Sequence, residues 1–476
     1  MEKIILFTIG IYLIISILLG IIANKKSINT SEDYFIANRS LNWFSLSMTM
    51  FATWMSTFAF LGSPGFYFKN GVNWFLPHGL LVVASPFLLW FIGRKIWHLG
   101  REKGYVTPAD MLGDFYNSIV VKYIVGIIGL LAILPYSLIQ LVGIGKALEA
   151  STDGILNYET GVLIALSAIA IYTIIGGIRA IVWTDILQGV LFGGLMIIGA
   201  VLVFNEAGAE AYRTSIEINH KAFNFNPDNF GSPLSLAIIW TFGYILLPHM
   251  WQRIYMAKSA EALTKSIVIG TVLALILIVI PSLIMGTLGI GIFENLQDSD
   301  KLVPTIFKDL APTLLPLLML ATFAAGMSTV DSQMLSASSI FVKDIISPIA
   351  KKSIPKEKER LIGRIFVLTF VFLLGYLAMK PENQGSIILL ASKGTGIALL
   401  LLVPLIGPIA WTKASKYGGL MALIIGLFIM LVLELKLIDI TIPYGFKIPI
   451  ISFIIQLPVF IIVSYLIPNN MKQSNR

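Results

Sequence analysis

Apolar runs of about twenty residues recur along almost the whole of this 476-residue chain, with little between them. A helix needs roughly 20 such residues to cross a hydrocarbon core of about 30 Å, where every backbone polar group must be satisfied internally. The runs fall at 3–24, 42–69, 72–98, 118–149, 159–177, 180–204, 233–255, 266–293, 306–345, 361–379, 384–411, 417–436 and 447–467. They predict an all-α integral membrane protein of about thirteen transmembrane helices in a single transmembrane domain spanning 1–476. Charged residues make up 13% of the chain, against about a quarter in soluble domains. That excludes a globular enzyme carried on an anchor. The absence of cysteine removes disulfides, thiolate nucleophiles and Cys-based metal sites.

The net charge of +8 orients the chain instead of recruiting a partner. Sorting Lys and Arg into alternate loops places 23 on one side and 10 on the other, with Lys393 left inside a helix. By the positive-inside rule the N-terminus lies outside and the C-terminus in the cytoplasm of a cell membrane. An odd number of spans follows. The basic residues are scattered over short loops and not gathered on one face, so no nucleic-acid partner is expected; no obligate protein partner is evident either. The lipid bilayer is the one extended contact implied. The polar segment 205–231 is expected to hold at most a short helix.

Two spans carry helix breakers. Gly62-Ser63-Pro64-Gly65 interrupts the second, and Gly243 and Pro248 flank Tyr244 in the seventh. With the first helix set aside, these lead two successive groups of five. Interrupted segments at matching positions point to an inverted repeat with its site near the midplane.

The ninth span holds the chemistry. Ser328, Thr329, Asp331, Ser332, Gln333, Ser336, Ser338 and Ser339 sit where oxygen atoms are costly; an aspartate at a helix centre is disfavoured by roughly 2.5–3.5 kcal/mol. Hydroxyl and carbonyl oxygens suit a hard alkali cation. Back-bonding to the preceding turn accounts for Ser336, Ser338 and Ser339, but not for Asp331. Asp185 in the sixth span is a second candidate, weighed against a carboxylate stabilised by a helix N-terminus. Where the second helix unwinds, the carbonyls of Ala52 and Met55 become free to hold an ion. Lys393 either snorkels to the interface or meets a carboxylate on a solute. Ser56, Thr57, Tyr136, Gln140 and Tyr244 are the remaining candidates for the solute cavity. The four histidines are too dispersed for a metal site, and no phosphate-binding GxxxxGK[ST] loop occurs.

Four segments carry a resemblance to a known family. They are Asp33-Tyr34-Phe35 with Arg39-Ser40-Leu41, the stretch 172–180 running into Trp183-Thr184-Asp185, Pro248-His249 with Gln252-Arg253, and the run 324–333. In this order they resemble the sodium:solute symporter family, whose members carry proline, pantothenate, monocarboxylates, sialic acid and sugars. The resemblance implies a leucine-transporter-type fold of 5+5 inverted repeats (42–204 and 233–411), with one extra helix in front (3–24) and two behind (417–467). It maps a Na+ site onto the carbonyls of Ala52, Met55 and Ala325 and the hydroxyls of Ser328 and Thr329. A second sodium or proton site maps onto Asp185, Asp331 and Ser332. Trp54 stands where the proline carriers have an aspartate. The segments 134–143 and 107–110 look most like the monocarboxylate carriers. The expected function is therefore sodium-coupled import of a small monocarboxylate by alternating access, with no enzymatic activity. The alternatives are a proton-coupled carrier of the same fold, or a sodium/pantothenate or sodium/proline symporter.

Overall fold

The computed structural model describes residues 2–25, 30–222, 230–350 and 354–468. Lys26, Lys351, Lys352, Lys472 and Arg476, which enter the loop count, lie outside the described residues. Among the described residues helices account for nearly all the secondary structure, and the only extended pairing is an isolated bridge between Leu41 and Ala257. The surface is rich in apolar side chains, and a largely apolar interior holds a set of buried polar and charged groups. Phe91, Phe372 and Leu466 are each about two-thirds exposed or more, whereas Asp185, Asp331 and Arg253 are buried. Exposed apolar surface on that scale needs a covering phase, and a bilayer supplies it.

Among the described residues ten helices are long and apolar enough to cross a membrane, or eleven with one bent pair. This count and the thirteen expected spans differ at two places. The fifth and sixth expected spans form one helix, Tyr158–Glu206, of 49 residues, which at 1.5 Å per residue is about 74 Å long. The second and third run together from Phe58 to Lys103, turning at Gly71, whose φ of 58° is a conformation glycine adopts without strain. Segment 205–231 holds one helix, Ala209–Ala222. Many helices begin on a side-chain cap: Asn42, Ser118, Ser259 and Ser415 each accept the N–H three residues on.

Both interrupted spans are broken, but one break is displaced. The second span is helical over Trp43–Trp54 and unwinds at Met55 and Ser56, seven residues before the Gly-Ser-Pro-Gly run. That run is helical: Pro64 lies in the first turn of Ser63–Asn70, where its missing N–H costs nothing. Its glycine serves packing, since a Cβ on Gly65 would overlap the Ser299 carbonyl. The seventh span turns at Leu247 (φ −61°, ψ 133°) and bends by 48° into Pro248–Met256. Just before that bend Gly243 lies against the Thr395 carbonyl, closer than a side chain permits. Gly243→Ala is expected to cost about 1–3 kcal/mol, read as a lower thermal unfolding midpoint of the purified protein.

Candidate ion and solute site

The unwound turn of the second helix faces the long helix Leu315–Ile340. Gly326 lets that helix approach the 119–151 helix, its Cα lying against Ile144 and the Gln140 carbonyl. Ser328 Oγ reaches the Ala52 carbonyl at 3.1 Å and the Ala325 carbonyl at 3.0 Å. Thr329 Oγ1 lies 3.4 Å from the Thr53 carbonyl and 3.5 Å from that of Ala325. Those last two separations are long beside the usual 2.7–2.8 Å of a hydroxyl donor. Five oxygens thus gather at one break, all on fully buried residues apart from Ser328 at 1% exposure. Met55 ends the helix with ψ 59°, outside the helical region, at the same break.

A second polar cluster lies one turn further along the same helix, and its centre is Arg253. The guanidinium donates from Nη2 to Ser332 Oγ at 2.8 Å and to Thr49 Oγ1 at 3.2 Å, and from Nε to the Thr49 carbonyl at 3.2 Å. Asp185 Oδ2 lies 3.6 Å from Arg253 Nη2 and accepts from Thr49 Oγ1. Asp185 and Ser332 therefore do meet, with the Arg253 guanidinium between them. The sequence count had put Arg253 in a loop; it is 1% exposed. Asp185 also lies in mid-helix, which removes the helix N-terminus as its explanation. Asp331 and Asp185 both lie within electrostatic reach of Tyr12, which accepts from Gln188 Nε2 at 2.5 Å. Ser336 donates to Gln252 Oε1 at 2.5 Å and Gln252 Nε2 donates to Ser339 at 2.7 Å. Ser339 also back-bonds to the Ser336 carbonyl at 2.8 Å, whereas Ser336 directs its hydroxyl to the neighbouring helix and Ser338 Oγ has no hydrogen-bond partner.

The solute candidates divide. Tyr136 and Tyr244 line a small internal cavity with Trp54, Phe58 and His78, their rings 6.1 Å apart. The hydroxyls of both tyrosines and Nε1 of Trp54 are buried without a hydrogen-bond partner. His249 stands behind Tyr136, ring centroids 6.0 Å apart, with neither nitrogen bonded. Thr57 and Gln140 instead brace the break: Gln140 Oε1 accepts from Thr57 N at 3.1 Å and Oγ1 at 2.9 Å. Ser56 Oγ accepts from Phe58 N at 3.2 Å. Lys393 is a correction. Its neighbours Gly394 and Thr395 face the packed core, Gly394 against the Ala132 carbonyl and Thr395 against Gly243. Lys393 consequently points outward, is 56% exposed and lies 3.5 Å from Glu434. The eleventh helix does not line this cavity. Trp54, His78, Thr49, Gln252 and Arg253 were missed as site residues. A buried tryptophan beside an unwound turn, and an arginine four residues after a histidine at a bend, were the available signals.

Asp33 and Arg179 of the motif segments pair at 2.6 Å, and Leu41 exchanges backbone bonds with Met256 and Lys258. The first two motifs thus meet each other, and Asp185, Arg253 and Ser332 of the motif segments meet in the buried cluster. A broken-helix bundle with an oxygen-lined break and an enclosed cavity beside it defines a secondary transporter. The model of the sodium:solute symporter family matches residues 34–426, and the chain belongs to that family. It is 32% identical over 403 residues to the sodium/pantothenate symporter of Haemophilus influenzae, covering 83% of this chain and 82% of that one. It is 29% identical to the sodium/proline symporter of Salmonella typhimurium, covering 88% and 86%. In solved structures, a Na+-coupled sialic acid symporter matches with a TM-score of 0.81 over 98% of both chains at 18% identity. That likeness shows the fold, of the leucine-transporter type. The protein is a membrane transporter and not an enzyme.

Proposed function

We propose that this chain couples the entry of one sodium ion to the import of a small carboxylate solute. The observation that carries the reading is the meeting of the Ala52, Thr53 and Ala325 carbonyls with the Ser328 and Thr329 hydroxyls at the break of the second helix. Oxygens held slightly too far apart for good hydrogen bonds are spaced as ligands sharing a cation. The Met55 carbonyl completes the set. Sodium bridges the second and ninth spans and stabilises the form that takes up solute. The membrane potential adds roughly 2.3 kcal/mol per charge per 100 mV to its entry. Arg253 stands in for a second cation beside Asp185, which supports a single ion per cycle.

For the solute, Tyr136 Oη, Tyr244 Oη and Trp54 Nε1 supply three unused donors to a cavity otherwise walled by apolar side chains. Neutral donors receive a carboxylate, and the cavity, about 20 Å³ in this structure, widens along its apolar walls to admit the carbon skeleton. Among carboxylates, pantothenate is favoured over lactate-like monocarboxylates by the similarity to pantothenate symporters. The inverted repeats 42–204 and 233–411, the leading helix and the two trailing ones, and an outside N-terminus in the cell membrane complete the reading. Uptake of labelled pantothenate, pyruvate, acetate and proline into proteoliposomes, with and without an inward sodium gradient, tests it. Sodium-driven accumulation of a carboxylate supports the proposal; sodium-independent uptake of every solute overturns it. Lys393→Gln is expected to leave the half-saturating solute concentration within about twofold, because an exposed pair such as Lys393–Glu434 contributes about 0–1 kcal/mol and does not reach the cavity.

A further inference from the structure

The helix Phe75–Lys103 carries a groove of about 550 Å³ on its outer face, where Trp90 and Phe91 give way to Arg94, Lys95, His98 and Glu102. We infer that this groove binds an anionic phospholipid, its phosphate between Arg94 and Lys95 and its acyl chain along Phe91 and Phe87. The apolar part is exposed for a reason other than packing: Phe87 and Phe91 are 62% and 68% accessible, one helical turn apart, with Trp90 beside Phe87 at 6.0 Å. In a membrane protein such a stripe faces acyl chains, and the transition to basic residues marks the headgroup level.

The charges at that level are uncompensated. Lys103, Lys146, Lys301 and Lys308 each have a carboxylate partner, and Arg101 Nη1 donates to the Lys258 carbonyl at 2.6 Å. Among the described residues Arg94 and Lys95 have no such partner. Helix polarity does not account for them. Its influence is confined to the last turn, which Arg101 and Lys103 occupy, and Arg94 lies more than two turns earlier. Snorkelling explains where the stems run but not why two cations share one concave site. Glu102 lies two turns from Arg94, toward the aqueous end, and leaves the groove net positive. A basic pocket beside a spanning helix at the headgroup level is the geometry that selects anionic headgroups.

The test uses the intact transporter in nanodiscs of phosphatidylcholine with and without phosphatidylglycerol, followed by native mass spectrometry of retained lipid. Wild type is expected to keep phosphatidylglycerol in preference to phosphatidylcholine. Each basic residue near an anionic surface contributes about fivefold, so Arg94→Gln with Lys95→Gln should lower retention on the order of twentyfold. Both side chains are on the surface, and a photoactivatable phosphatidylglycerol should label residues 87–102 in wild type independently of any variant. Equal retention of the two lipids, unchanged retention in the double variant, or labelling confined to other segments would overturn the site. Displacement of the bound lipid by glycerol phosphate alone would overturn its assignment to a lipid.

Discussion

Thr329→Ala is expected to raise the sodium concentration for half-maximal uptake by roughly tenfold to a hundredfold, with expression and solute selectivity unchanged. The magnitude follows from the role. A hydrogen bond or ligand contact to a charged group is worth about 1.5–3 kcal/mol, and each 1.4 kcal/mol is about tenfold in affinity. Thr329 suits the test better than Ser328 because its hydroxyl holds nothing firmly together. Its protein contacts are 3.4 and 3.5 Å, against 3.1 and 3.0 Å for Ser328. Removing it should therefore cost the ion more than it costs the fold. Valine is the informative companion, since it keeps the branched shape and loses only the oxygen. A shift in sodium dependence shared by Thr329→Ala and Thr329→Val assigns the effect to the oxygen. Unchanged sodium dependence in both, with uptake intact, would move the ion elsewhere.

The oxygen-rich turn of the ninth span was legible in the sequence and the cavity largely hidden, for a physical reason. Ser328 and Thr329 declare themselves because oxygen inside a spanning helix is expensive, and that expense is visible in one dimension. The break was also expected, yet Gly62-Ser63-Pro64-Gly65 drew attention to the wrong turn. Local breakers report only what the chain does to itself. Met55 and Ser56 unwind because Gln140, some eighty residues away, takes over the Thr57 N–H. Arg253 misled in the opposite sense. A cation near the end of an apolar run reads as a loop residue, and only the fold shows Thr49, Asp185 and Ser332 closing around it. Lys393 failed for want of a helical phase: one residue of rotation separates the face holding Gly394 and Thr395 from the face open to Glu434. A polar run within one helix is readable; the partners that other helices bring to it are not.

Arg253→Gln is expected to destabilise the protein by about 3–5 kcal/mol, the usual cost of leaving a buried charge without its partner. It would appear as a large fall in the unfolding midpoint in detergent. Arg253 also binds the Thr49 carbonyl and the His249 carbonyl at 3.1 Å, so the single variant loses backbone anchors as well as a charge. Combining it with Asp185→Asn should recover much of the loss, because removing both members of a buried ion pair is often close to neutral. The pair of variants also decides what the cluster is for. If Arg253 serves as the fixed cation of the Asp185 site, sodium dependence in wild type has a Hill coefficient of about one. The double variant then keeps that coefficient, since no mobile ion was lost. A coefficient near two in wild type that falls to about one on Asp185→Asn would mean that a second sodium shares Asp185 with the guanidinium. The one-ion cycle would then be wrong, while the site at Thr329 would stand.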